Sequence, residues 1–220
     1  MPSFHHGAVE IAYLDEGEGD PIVLVHGFAS TKNVNWVYPT WVSELKKSGR
    51  RVLAFDNRGH GESAKLYDPA AYEIAIMASD ITALMDHLNI ERADVMGYSL
   101  GSRMAAVLAR SRPERLRSAI FGGIGIGLIE GGGPGENVAR ALAACLRGSR
   151  RLMRREEAAG IAVPVLIAVG TADEIAGSAD ALGKIIPGSR VLNIPNRDHM
   201  RAVGDKVYKS GVLDFLAQRK

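Results

Sequence analysis

The sequence predicts an α/β fold, with a mostly parallel central sheet carrying helices on both faces. Three observations predict it. Short β-rich runs alternate with segments of helical periodicity along the whole chain. Several of those runs are continuously apolar over about 4–8 residues, the pattern of strands buried on both faces. The 220 residues are 46% apolar, enough for one well-buried core, so a single domain over 1–220 is expected.

In chain order, strands are expected at Val9 to Tyr13, Ile22 to Val25, Val52 to Phe55, Ala93 to Met96, Ser118 to Phe121, Val165 to Val169 and Val191 to Ile194. Between them, Thr40 to Lys47, Tyr72 to Asn89, Leu100 to Ser111, Gly177 to Ile186 and Gly204 to Gln218 carry apolar residues at helical spacing. One segment breaks the rhythm. Gly122 to Gly135 holds eight glycines and one proline, and an Ala- and Arg-rich helical stretch with its apolar part at Val138 to Leu146 continues to Arg155. A loop plus an excursion from the sheet at about 122–160 is expected there, bordering the active site. No Gly-Lys-Ser or Gly-Lys-Thr follows the glycines, so they do not form a phosphate-binding loop. No internal repeat marks a solenoid.

Lys and Arg number 27 against 25 Asp and Glu, and a net charge of +2 gives no reason to expect nucleic acid or an anionic membrane as partner. Cys145 is the only cysteine, which excludes an internal disulfide framework and a multi-cysteine zinc site. Met1 to Gly7 lacks a basic segment followed by an apolar run, and Ile161 to Val169, broken by Pro164, is too short to span a bilayer. A cytoplasmic location is the expectation. Oligomeric state is not legible.

The strongest chemical signal is Gly97-Tyr98-Ser99-Leu100-Gly101, preceded by a strand and followed by a helix. A nucleophile elbow needs its serine in a strained turn whose backbone crowds the adjoining strand and helix. Glycines two before and two after remove side chains that would collide. The helix N-terminus then lies beside Ser99, where its partial positive charge favours a developing oxyanion.

With these residues the chain resembles the α/β-hydrolase superfamily, in its esterase-like branch, over essentially its whole length. His26-Gly27-Phe28 follows the strand ending at Val25, where the family places the oxyanion loop, which implies the backbone N–H of Phe28 together with that of Leu100 as the oxyanion hole. Asp56-Asn57-Arg58-Gly59-His60-Gly61-Glu62-Ser63 is similar to the family's Asp-x-Arg-Gly-x-Gly-x-Ser turn. Its role there is structural, with Asp56 and Arg58 tying the loop down and His60 part of the scaffold.

Serine needs a base within hydrogen-bond reach. The resemblance implies His199, after the last strand and before the C-terminal helix. His5 and His6 lie in a terminus expected to be mobile, His87 in a helix and His26 in the oxyanion loop. Asp173, in Gly170-Thr171-Ala172-Asp173, matches the family's acid that orients the histidine, and the order Ser99, Asp173, His199 is the order this fold requires. Asp198 is the competing carboxylate, badly placed as the backbone neighbour of the ring.

The resemblance therefore implies a serine hydrolase of small carboxylic esters working through an acyl-enzyme, with no metal or organic cofactor. The same framework also serves carbon–carbon bond hydrolases, lactonases, thioesterases and acyltransferases, and a non-turnover ligand-binding protein on this scaffold is the alternative of another class. Relatives insert a cap between the strands ending near Phe121 and starting at Val165. The short excursion here implies a reduced cap and an open site of broad tolerance. Arg147, Arg150, Arg151, Arg154 and Arg155 could draw anionic substrates to the rim, although a solvated helix face is the ordinary reading. Cys145 is read as a packed small residue. Trp36 and Trp41 either line the entrance or pack inside.

Overall fold

The structure, a computed structural model, describes residues 2–131 and 140–218. Its sheet has eight strands: β1 (Ser3–His6), β2 (Val9–Glu16), β3 (Asp20–Val25), β4 (Arg50–Phe55), β5 (Ala93–Tyr98), β6 (Leu116–Gly122), β7 (Val165–Gly170) and β8 (Arg190–Ile194). Their spatial order is β1-β2-β4-β3-β5-β6-β7-β8. The pairs β1/β2 and β2/β4 are antiparallel and the others parallel. The helices are α1 (Trp41–Lys47), α2 (Ile74–His87), α3 (Leu100–Ser111), α4 (Gly127–Glu130), α5 (Arg140–Gly148), α6 (Arg155–Ala159), α7 (Ala179–Gly183) and α8 (Lys206–Gln218).

Each interior strand feeds two cores, which is why its sequence shows no polar alternation. Val23, Val25, Leu53, Phe55 and Val95 pack on one face with residues of α2 and α3. Ile22, Leu24, Val52, Ala54 and Met96 pack on the other with residues of α1 and α8. Strands β5 and β7 are buried at every residue. Trp36 and Trp41 are both fully buried in the second core, so they pack inside and do not line an entrance. Cys145 is buried too, and burial pushes its thiol up to about 12. No helix among the described residues is long and apolar enough to cross a membrane.

The expected strands are all present, and several run further than their apolar stretch because backbone pairing continues past it. The start of the chain corrects the expectation of a mobile terminus. β1 pairs with β2 along its whole length, Phe4 is buried against Tyr13 and His87, and His6 Nδ1 lies 2.7 Å from Asp80 Oδ1. Ser-Phe-His-His carries no strand signal of its own; its partner strand and Phe4 hold it. The expected helix at 72–89 begins only at Ile74, after a tight turn at 69–72 in which Asp68 caps Ala70 N–H. The expected helix at 177–186 shortens to α7, capped by Ser178. Of the excursion, 132–139 lies outside the described residues. That span takes in Gly132, Gly133 and Gly135 of the glycine run and Val138 at the start of the expected helix.

The turn after β4 is held by a buried ion pair. Arg58 Nε and Nη2 donate to Asp80 Oδ2 and Oδ1 at 2.8 and 2.6 Å, Nη1 donates to Ala71 O, and the Asp80 side chain is fully buried on α2. Removing one member leaves an uncompensated buried charge. Asp80→Asn is expected to lower the unfolding free energy by roughly 3–5 kcal/mol, read from urea denaturation; a loss below about 1 kcal/mol would show that the pair does not secure the turn.

Candidate functional site

The chain winds from β3 outward to β4 and then returns to place β5 on the other side of β3. Such a reversal opens a crevice at the carboxyl ends of the strands. Four segments converge there: His26 to Lys32 after β3, Ser99 after β5, Asp173 after β7 and His199 after β8.

Ser99 stands between β5 and α3 with φ 52° and ψ −110°, a conformation side chains other than glycine rarely adopt. The flanking glycines make that turn possible. A Cβ on Gly97 would lie 2.2 Å from the Gly101 carbonyl carbon, and one on Gly101 would lie 2.0 Å from Val25 O. The turn is pinned by Ser99 N–H and Ser102 Oγ, both donating to Gly122 O at 2.8 Å. Its geometry is therefore that of the elbow expected from the five-residue motif.

His199 and Asp173 meet directly. His199 Nδ1 lies 2.8 Å from Asp173 Oδ2, while Asp173 Oδ1 accepts the N–H groups of Ile175 and Ala176 at 2.9 Å each. The Asp173 side chain is fully buried and its ring partner 13% exposed. A carboxylate holding two backbone donors takes the third hydrogen bond from Nδ1–H, which leaves Nε2 with its lone pair. Tyr98, beside Ser99, donates its hydroxyl to His199 O at 2.5 Å and packs its ring against the imidazole. The competing Asp198 accepts from Met200 N–H and Arg201 N–H, so it is engaged in its own turn.

Ser99 and His199 line one cavity of about 300 Å³, together with Phe28, Ile175, Met200 and Val203. Ser99 Oγ makes no hydrogen bond among the described residues. Serine–histidine bonds of this kind commonly tighten only in the substrate complex. The N–H groups of Phe28 and Leu100 likewise have no acceptor among the described residues, and both residues border Ser99.

Sequence reasoning missed how firmly the Phe28 loop is clamped. His26 Nε2 accepts Asn57 N–H at 2.9 Å, and His60 Nε2 accepts Ala29 N–H at 3.1 Å. Each ring uses its Nδ1 on a backbone carbonyl, Gly27 O for His26 and Arg58 O for His60, so both are neutral and share one tautomer. Buried Lys32 donates Nζ to Asp56 Oδ2 at 2.7 Å and Glu62 Oε2 at 2.8 Å, and its N–H reaches Asp56 Oδ1. Burial works against the Lys32 ammonium, but these hydrogen bonds outweigh it and raise its pKa. The expected tie of Asp56 and Arg58 is real, with partners, Lys32 and Asp80, that no local spacing reveals.

Residues 20–136, more than half of the chain, match the model of the alpha/beta hydrolase fold. The chain belongs to the alpha/beta hydrolase family. This hydrolase-family chain is 36% identical over 122 residues to the dihydrolipoyllysine-residue acetyltransferase component of the acetoin cleaving system of Pseudomonas putida, a match over 54% of this chain and 29% of that protein. It is 38% identical over 113 residues to 2-hydroxymuconate semialdehyde hydrolase of Pseudomonas sp. strain CF600, over 50% of this chain and 38% of that one. The chain thus matches less than half the length of either relative. Its fold is similar to that of the enol-lactonase from Burkholderia xenovorans LB400, with a TM-score of 0.83 and 23% identity over 99% of this chain and 100% of that one.

The two clamp histidines give a pH dependence. Burial, with the neighbouring His60, holds His26 down from 6.5 to about 3, and burial lowers His60 as well. Such a ring takes up its proton only on unfolding. His26 therefore contributes stability that is full above about pH 6.5 and is lost as the pH falls toward about 3, at up to about 1.4 kcal/mol per unit. Urea midpoints measured from about pH 7 down to about pH 4 should fall more steeply for the wild type than for His26→Gln. Parallel curves would mean that His26 already takes up its proton in the native state.

Proposed function

We propose that this chain is a serine hydrolase acting on carboxylic esters of small molecules through an acyl-enzyme. The observation that carries the reading is the meeting of His199 and the strained Ser99 turn at one cavity, with Asp173 behind the ring at Nδ1.

In this reading His199 Nε2 takes the Ser99 proton as Oγ attacks the ester carbonyl. The carbonyl oxygen becomes an oxyanion facing Phe28 N–H and Leu100 N–H, two donors fixed by the clamped loop and the start of α3. Collapse breaks the carbon–oxygen bond, and the imidazolium returns the proton to the departing alcohol. Water, deprotonated by the same nitrogen, then releases the acid and restores Ser99. Asp173 stays ionised and stabilises the imidazolium. The cycle needs no cofactor. The excursion at 122–160, with α4, α5 and α6, is read as a reduced cap over this site within a single domain.

A second reading keeps the same residues and cleaves a carbon–carbon bond; the likeness to 2-hydroxymuconate semialdehyde hydrolase favours it. The distinguishing experiment is turnover of a chain-length series of 4-nitrophenyl esters beside a ring-cleavage dienoic ketoacid, with a fluorophosphonate probe on the same protein. Labelling and ester turnover that both vanish in Ser99→Ala, with kcat down on the order of 10⁴-fold or more, are expected. Ester turnover that survives Ser99→Ala would remove the reading. His199→Ala should lower kcat on a similar scale, and Asp173→Asn somewhat less, with KM changing little in both.

A further inference from the structure

Ser99 borders a second cavity, of about 330 Å³, whose described lining does not include His199. Leu100, Ile124, Leu146 and Leu152 supply its apolar wall. Its charged side chains are Arg103 and Arg150, and no acidic side chain lines it among the described residues. The cavity that His199 lines carries Val34, Ile175, Met200 and Val203 and, among the described residues, no Lys, Arg, Asp or Glu.

Arg103 is one helical turn beyond Ser99, and its N–H donates to Ser99 O at 3.2 Å. Residues spaced four apart share a helix face, and Arg103 and Ser99 line the same cavity. Its side chain donates Nη2 to Arg151 O at 2.6 Å, and no carboxylate pairs with it among the described residues. Arg103 also lines the cavity, and no acidic side chain of the described residues lies there beside it. That arrangement is costly in an empty protein and favourable once an anion enters. Arg150, exposed at the rim, adds positive charge to the same opening.

The departing alcohol must lie beside His199, which protonates it, so the acyl chain extends the other way. We infer that Arg103 is a specificity-determining residue that binds a carboxylate at the far end of the acyl group, making the substrate class the hemiesters of short dicarboxylic acids. The inference rests on the Ser99 reading given above. The cavity of about 330 Å³ holds only a short acyl chain.

The test compares mono(4-nitrophenyl) glutarate with the uncharged 4-nitrophenyl pentanoate on wild type, Arg103→Met and Arg103→Lys. Wild type should favour the glutarate, and the kcat/KM ratio of glutarate to pentanoate should fall roughly 10- to 100-fold in Arg103→Met, mainly through KM. Arg103→Lys should recover part of the ratio, and it carries the test if the Met variant fails to fold. An unchanged ratio in a folded Arg103→Met would overturn the inference. A binding measurement separates this outcome from failure of the hydrolase reading. Calorimetry of monomethyl glutarate on Ser99→Ala should show binding that Arg103→Met abolishes in the same background, whatever the chain turns over. No binding to Ser99→Ala would also overturn it.

Discussion

The close approach of α3 to the end of β3 constrains everything else at the site. Gly101 lies so near Val25 O that a single added carbon would overlap it, and Gly97 packs as tightly on Gly101. Only because both positions lack a side chain can the chain reverse within one residue, and that residue, Ser99, is driven to positive φ. The strain is held by bonds from Ser99 N–H and Ser102 Oγ to Gly122 O, which tie the turn to β6. Once the turn is fixed, the start of α3 and the loop after β3 have to border the same serine.

A second layer of constraint acts on that loop. Its middle, Phe28 to Thr31, is only partly buried, so its shape cannot come from its own burial. It is held by His26, His60 and Asp56, each bonded across to a neighbouring loop, and by a lysine withdrawn almost completely from water. Neutral imidazoles serve here because each must accept one backbone N–H and donate to one carbonyl, a pairing that protonation would destroy. In the proposed reaction, rigid donors of this kind would stabilise developing charge because they need no reorganisation.

The two cavities flanking Ser99 divide the crevice chemically. Apolar walls line the cavity with His199, whereas the other combines an apolar lining with Arg103 and Arg150. The basic run at 147–155 is exposed at each arginine, as a solvated face should be, yet Arg150 also reaches the cavity edge. One surface can thus be ordinary in solvation and still shape the field at the site.

The sequence alone determined the parallel sheet, because continuous apolar runs such as Ile22 to Val25 suit only strands covered on both faces. It also determined the elbow, because Gly97 and Gly101 are demanded by contacts within a few residues of Ser99. It brought Asp173 and His199 forward through resemblance. Tertiary structure alone decided what depends on distant parts of the chain meeting. The pairing of His6 with Asp80, Lys32 with Asp56, Tyr98 with the His199 backbone and Trp41 with Val203 O all join residues that no local period relates. Even Arg103, four residues from Ser99 and so visible in principle, gains meaning only when the cavity it lines proves to hold no acidic side chain among the described residues. Local sterics are written in neighbouring residues, whereas the partners that satisfy a buried charge are chosen by the packing of the whole sheet.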